Sequence, residues 1–276
     1  TVPDTKTYFI KNATLWTNEE EGVIKGANLL IVDGKIESVN KKTTKVPNNA
    51  VVIDAKGKHV TTGIIDEHSH IAIEGGNEAG HNSSAEVSIE HIVNPDNISI
   101  YQSLSGGVTT AQLLHGSANP IGGQSAIVKL KWGSSADEMI YTNSPKFIKF
   151  ALGENVKQSR FPGTGSRFPQ TRMGVEDVYM DYFQRAKEYD ARKKSGQPYR
   201  KDLEMETLAE ILNGERFITC HSYVQSEINM LMKVAEKFNF RVNTFTHILE
   251  GYKVADKMAK HGVGGSSFSD WWAYKY

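Results

Sequence analysis

Ile64-Ile65-Asp66-Glu67-His68-Ser69-His70 is the stretch on which the fold turns. An apolar start and a polar end describe a strand that presents its last residues at a strand end. Side chains alternate along a strand, so His68 and His70 point the same way. Two imidazoles side by side at a strand end can bind one divalent metal. Two histidines hydrogen-bonded at a strand terminus would give the same pattern, and the pair alone does not choose.

Later strands sharpen the choice. Phe217-Ile218-Thr219-Cys220-His221 closes one apolar run in histidine, and Val242-Asn243-Thr244-Phe245-Thr246-His247 closes the next. Four of the nine histidines therefore end three strands. Imidazoles at the ends of different strands converge on one mouth, which is how a catalytic metal site is built. Phe147 to Glu154 offers a carboxylate at a fourth end, Glu154. Lys149, a candidate for carboxylation, lies an odd number of positions earlier and deeper, so strand parity favours Glu154. A structural role for Glu154, capping its own turn, is the competing expectation. His59, His81, His91 and His261 fall in turns or helices and read as surface or packing residues.

Around these stretches the pattern divides at about residue 60. Residues 7 to 60 read as short strands, with Asp33-Gly34 as a two-residue hairpin turn. From residue 61, strands are expected near 63–68, 107–113, 125–130, 146–152, 216–221, 241–247 and 262–268. Helical spacing covers 174–194, 226–238 and 251–261. Strand–helix alternation implies an α/β fold with a parallel sheet, and seven such strands suggest a (β/α)8 TIM-type barrel. The expected domains are 1–60, part of a small β-sandwich, and 61–276, a barrel incomplete at its C-terminus. The loop from Leu114 to Gln124 offers glycine-supported N–H groups, His115 and Gln124 for a substrate, or is simply a rigid loop.

Composition narrows the function classes. The 276 residues carry 32 Lys plus Arg and 32 Asp plus Glu, so neither nucleic acid nor an anionic membrane surface is an expected partner. No apolar run approaches the ~20 residues of a bilayer span. The single cysteine, Cys220, excludes an intrachain disulfide and a cysteine-rich zinc site. A soluble protein, cytoplasmic or exported, is the expectation. The pair Trp271-Trp272 reads as core or interface.

With those residues in place, Val60-Thr61-Thr62-Gly63-Ile64-Ile65-Asp66-Glu67-His68-Ser69-His70 resembles the first-strand signature of the amidohydrolase superfamily. Gly106-Gly107-Val108-Thr109-Thr110 is similar to that family's second strand, and the unit before residue 60 to its flanking β-sandwich. His221 and His247 fall where the family places its fifth- and sixth-strand ligands. The branch it looks most like is the imidazolonepropionase-related group, which includes cyclic amidases and dipeptidases. Thr62 departs from a common proline. The family's eighth strand, with its general-base aspartate, has no counterpart here, and Asp270 does not match it; the expectation is a piece of a longer protein whose remaining C-terminal part completes it.

The resemblance implies a hydrolase of amide, cyclic amide or dipeptide C–N bonds, with one or two divalent ions, zinc first. It assigns His68, His70, Glu154, His221 and His247 to metal, with substrate contact as the alternative for His247, and His115, Gln124 and Tyr223 toward a small amide or peptide substrate. A homo-oligomer is compatible with it. The rival expectation is a non-catalytic barrel serving as a binding or assembly module in a larger protein, favoured by the absent general base.

Overall fold

The computed structural model describes residues 6–40, 45–158 and 167–268. Asp270 and Trp271-Trp272 lie outside them. The chain divides into two compact units, one running to Ile64 and taking in Gly107–Thr109, the other holding Ile65–Gly106 and the chain from Thr110 on.

The first unit is all β. Strands β1 (Tyr8–Trp16), β2 (Val23–Val32) and β3 (Lys35–Asn40) form an antiparallel meander. Strand β4 (Val51–Asp54) and the short β5 (His59–Val60) add to β1 in parallel. The β2–β3 turn is Asp33-Gly34, with φ of 49° and 73°. Both residues are left-handed, which matches the twist of a tight hairpin and explains why a glycine follows an aspartate there. A small core of Ala13, Leu15, Ala27, Leu29 and Ala55 holds the sheet. These five strands form one sheet, and no second sheet of a sandwich is seen among the described residues of this unit.

The second unit is mixed α/β. A five-stranded sheet runs β13-β12-β11-β10-β8, from β8 (Ile121–Gln124), β10 (Lys146–Ala151), β11 (Arg216–His221), β12 (Thr244–Thr246) and β13 (Gly264–Ser266). A three-stranded sheet holds β6 (Ile64–Ser69), β7 (Val108–Leu113) and β9 (Ala126–Lys129). From β10 to β13 all pairings are parallel, as the alternation of elements implies. The stretch expected near 125–130 behaves otherwise. It is β9, and it pairs antiparallel with β7, while β8, which the sequence pattern did not separate from its loop, pairs antiparallel with β10. Only Ser125 separates β8 from β9, and the chain passes from one sheet to the other at that residue.

Helices α1 (Ile98–Ser105), α2 (Ala136–Met139), α3 (Arg172–Lys194), α4 (Leu203–Leu212), α5 (Gln225–Phe238) and α6 (Ala255–His261) fill the connections. Helix α3 buries Val175, Val178, Tyr179, Phe183 and Ala186, the helical stripe visible in the sequence. The Tyr179 hydroxyl donates to the carbonyls of Pro120 and Ala151 at 2.7 and 2.8 Å, tying α3 to the end of β10. Helix α5 ends at Asn239, left-handed at φ 59°, which returns the chain toward β12. No described helix is long and apolar enough to cross a membrane.

The two faces of the parallel strands differ. Ile148, Phe150, Ile218, Cys220 and Phe245 join the apolar core with α3 and α5. The alternate positions, Lys149, Thr219, His221 and Thr246, are polar and still buried. Buried polar groups cost free energy unless partnered, so a polar inner face marks a place with another use.

Candidate functional site

Register brings the inner face together. In the parallel ladder Lys149 lies beside Thr219 and Thr219 beside Thr244; two residues on, Ala151, His221 and Thr246 form the next row. His247 follows Thr246, so strand parity alone would send it to the other face. It instead adopts φ of 39°, left-handed for a residue with a Cβ, and its ring comes to 4.3 Å from that of His221. That costly backbone conformation turns a side chain inward at the strand end.

The rings form one continuous group. His68 and His70 stand 5.2 Å apart edge to face, with their Nε2 atoms 3.3 Å from each other. His68 and His247 are 5.5 Å apart. Tyr223 packs on His221 at 4.5 Å and on His247 at 5.2 Å. Phe268 covers His68 and His247 at 5.4 and 5.6 Å. Among the described residues no three His, Cys, Asp or Glu groups are drawn to a common ligation centre. The structure thus shows rings converging, not a formed coordination sphere.

Hydrogen bonds orient two of these rings. His70 Nδ1 lies 2.9 Å from the Leu114 carbonyl, which can only accept, so Nδ1 carries the proton. Its Nε2 lone pair then faces His68. His68 Nδ1 lies 2.7 Å from the hydroxyl of Thr246. Burial pushes the His68 pKa from 6.5 down to about 2, with Lys149, His70 and His247 adding repulsion. Burial first and Lys149 second lower His70 as well. Neutral imidazoles are the form that binds a metal.

Lys149 belongs to the same interior. It is fully buried, and its Nζ has no hydrogen-bond partner among the described residues. Burial pulls its pKa from 10.5 to about 7, against weaker attraction from Cys220 and Glu67. Its charge is felt by His68, His70 and His115. A lysine in the apolar run Phe147-Ile148-Lys149-Phe150 is the signal for it in the sequence.

Glu154 lies past the end of β10, where its carboxylate meets two cationic side chains. Strand β10 ends at Ala151, and Gly153 turns left-handed at φ 70° before Glu154 is reached. Alternation holds only within a strand, so the parity that favoured Glu154 over Lys149 does not extend to it. The Glu154 carboxylate meets Lys157 at 3.1 Å and Arg172 at 3.2 Å. Arg172 also pairs with Glu227.

Gln124 and His115 are held by hydrogen bonds to neighbouring segments. Gln124 donates to the Ala85 carbonyl at 3.0 Å and to the Thr207 hydroxyl at 3.1 Å, joining loop and helix and leaving its amide nitrogen committed. His115 spends both ring nitrogens on its own loops: Nδ1 on the Gly116 carbonyl at 2.8 Å, and Nε2 accepting from the Glu78 N–H at 2.7 Å. Tyr223, by contrast, stands against the imidazoles. Thr246 and Phe268 are residues that sequence pattern missed. Thr246 is legible only once β11–β12 register is known, and Phe268 carries no sequence signal.

The donor set fits a divalent cation on two observations: the facing Nε2 pair and the orphaned, buried Lys149 amine. No protein-family model matches the chain. It is 28% identical over 298 residues to the amidohydrolase tasK of Hapsidospora irregularis, covering 91% of this chain. The chain spans 30% of that relative's length. A dihydroorotase of Bacillus thuringiensis is 41% identical over 69 residues, 25% of this chain and 15% of the relative. Among solved structures, an amidohydrolase from Thermotoga maritima superposes with a TM-score of 0.83 at 30% identity, covering 95% of this chain and 70% of that one.

Proposed function

The chain belongs to the amidohydrolase superfamily, and from that premise we propose that it is the metal-binding part of a hydrolase that cleaves C–N bonds of amides, cyclic amides or dipeptides. The observation that carries this is the convergence of His68, His70, His221 and His247 from three strand ends, near a buried lysine amine that has no hydrogen-bond partner among the described residues. His68 and His70 would hold the cation through Nε2, with His221 and His247 completing its imidazole ligands. Zinc is the first choice for an imidazole-rich set. When bound, such an ion supplies Lewis-acid polarisation of a carbonyl and an activated water.

The chain's own residues do the rest. The Leu114 carbonyl fixes the His70 tautomer, and Thr246 holds the His68 ring. Phe268 and Tyr223 flank the imidazoles and exclude water from one side. Tyr223 is the residue we assign to substrate contact. Lys149, in its neutral form near pH 7, is a nucleophile toward carbon dioxide. Its nitrogen would form the N–C bond, one amine proton would leave to water, and the resulting carbamate would give the site a carboxylate.

The test is metal content and turnover of the full-length protein. We expect bound zinc, manganese or iron, and hydrolysis of members of a dipeptide and cyclic-amide panel. A fully metal-loaded protein inert across that panel would overturn the catalytic part of the proposal.

A further inference from the structure

A polar cleft opens between the loops that leave the C-terminal ends of β7 and β10. Its volume is about 380 Å³, and its polar lining is Asn77, Ser117, Asn155, Gln158 and Arg167. That volume suits a small organic ligand. Hydrogen bonds pin its walls. The Gly116 N–H donates to the Gly76 carbonyl at 2.6 Å, and Asn119 Nδ2 donates to the carbonyls of Glu78 and His81 at 3.1 and 3.2 Å. The Gln158 N–H donates to the Pro169 carbonyl at 2.9 Å. The cleft lies at the same end of the sheet as the imidazoles, since Ala151 at the end of β10 is the register partner of His221. Leu114, whose carbonyl holds His70 Nδ1, precedes Ser117 by three residues. That much chain spans at most about 11 Å.

Arg167 is the charged member of that lining, and it is half-buried. Its Nη2 donates to the carbonyls of Ala118 and Val156 at 2.9 and 3.4 Å, which ties it to both loops. Its Nη1 has no hydrogen-bond partner among the described residues. The nearby acids are engaged elsewhere. Glu154, beside Asn155, meets Lys157 and Arg172, and Glu78 in the facing loop acts on His115. Burial lowers the Arg167 pKa, yet a guanidinium keeps its charge at physiological pH. A cation drawn out of water with no counter-ion costs free energy that an incoming anion offsets. The amides of Asn77, Asn155 and Gln158 and the Ser117 hydroxyl can donate to that anion, and none of them opposes it with charge.

We infer that Arg167 is a specificity-determining residue that binds a carboxylate of the substrate in this cleft; this rests on the amide-hydrolase reading above. Among the proposed substrates it singles out dipeptides, which carry a carboxylate, over neutral cyclic amides. The carboxylate of a dipeptide belongs to the residue next to the scissile carbonyl, about 3.8 Å on from Cα to Cα. A molecule of that length reaches from the imidazoles toward the loop at Ser117. Its carbonyl end then lies at the histidines and its acid end at Arg167, so the two sites hold one molecule from both ends.

The experiment uses the full-length, zinc-loaded protein and the dipeptides of the panel, each offered as the free acid and as its C-terminal amide. Steady-state kinetics gives kcat/KM for each pair, and titration calorimetry gives the affinity of both forms. The native protein should prefer the acid about 10- to 100-fold, the worth of a hydrogen bond to a charged group. In Arg167→Gln that preference should fall to within about threefold, through a rise in KM for the acid, with zinc content unchanged. Equal kcat/KM for acid and amide in the native protein would overturn this inference alone; it is the result if an acidic side chain elsewhere in the protein neutralises Arg167. A preference that survives Arg167→Gln would overturn it too. The native ratio decides the matter even if the variant does not fold. A protein that turns over no member of the panel would overturn the hydrolase reading, and calorimetry would then judge the cleft by itself. Tighter binding of the acid, lost in Arg167→Gln, would support a carboxylate site there, and equal binding of acid and amide would overturn it.

Discussion

Strands β10 and β11 are neighbours in register and of equal length, yet they deliver chemistry at different heights. Strand β11 ends in His221, a member of the imidazole group. Strand β10 ends in Ala151, and its polar group is Lys149, two residues deeper. Beyond Ala151 the left-handed Gly153 swings Glu154 toward Lys157 and Arg172. A polar residue just past a strand is therefore not equivalent to one inside it. Where the chain leaves the ladder decides which side chains share the interior.

The largest expected effect comes from removing the deeper group. Lys149→Met should reduce zinc affinity by more than the ~10–100-fold that outer partners contribute, measured by chelator competition. The same variant, stripped of metal, should melt at a higher temperature than native, because an unpaired buried amine is replaced by an apolar side chain. An unchanged affinity would remove Lys149 from the site and return the contrast between the strands to packing alone.

Next comes the turn that separates the two outcomes. Gly153→Ala places a Cβ 2.5 Å from Glu227 Oε2 at a left-handed φ of 70°. A loss of about 1–3 kcal/mol in chemical denaturation is expected from that combination. A neutral effect would show that Glu227 can move aside and that the turn is not fixed by this contact.

The pH dependence separates the interior from the surface. His68 is held neutral, so its unfolded form takes up a proton below pH 6.5 that the folded form refuses until about pH 2. The stripped protein should therefore lose stability as pH falls from 6.5 toward 2. Lys149 is deprotonated above about pH 7 when folded but only above 10.5 when unfolded, so its contribution to stability should rise with pH between those values. Equilibrium unfolding across pH, repeated on Lys149→Met, should show the alkaline rise vanish. The smallest effect belongs to Glu154→Gln. Its ion pairs are partly exposed, so a change within about 1 kcal/mol and unaltered zinc affinity are expected. A large loss of metal there would restore Glu154 as a ligand.

Much of the fold was legible because its signals are local. Asp33-Gly34 announces a hairpin, the spacing from Val175 to Ala186 a helix, and the runs ending in His70, His221 and His247 the strands that face one interior. What was not legible depends on pairing. Nothing in 121–129 says that two short strands separated by one serine will join different sheets in antiparallel sense. Lys149 and Glu154 could be ranked only by assuming that the strand continued to Glu154, and Gly153 ends that assumption. Thr246 becomes visible only when β12 is laid beside β11.

The most direct measurement of the central claim is metal analysis of the full-length native protein beside His68→Ala after gentle purification. One to two equivalents of a divalent metal in the native protein, falling below about half an equivalent in the variant, is the expected result. Native protein with less than about half an equivalent, or a variant that keeps its metal, would contradict the account.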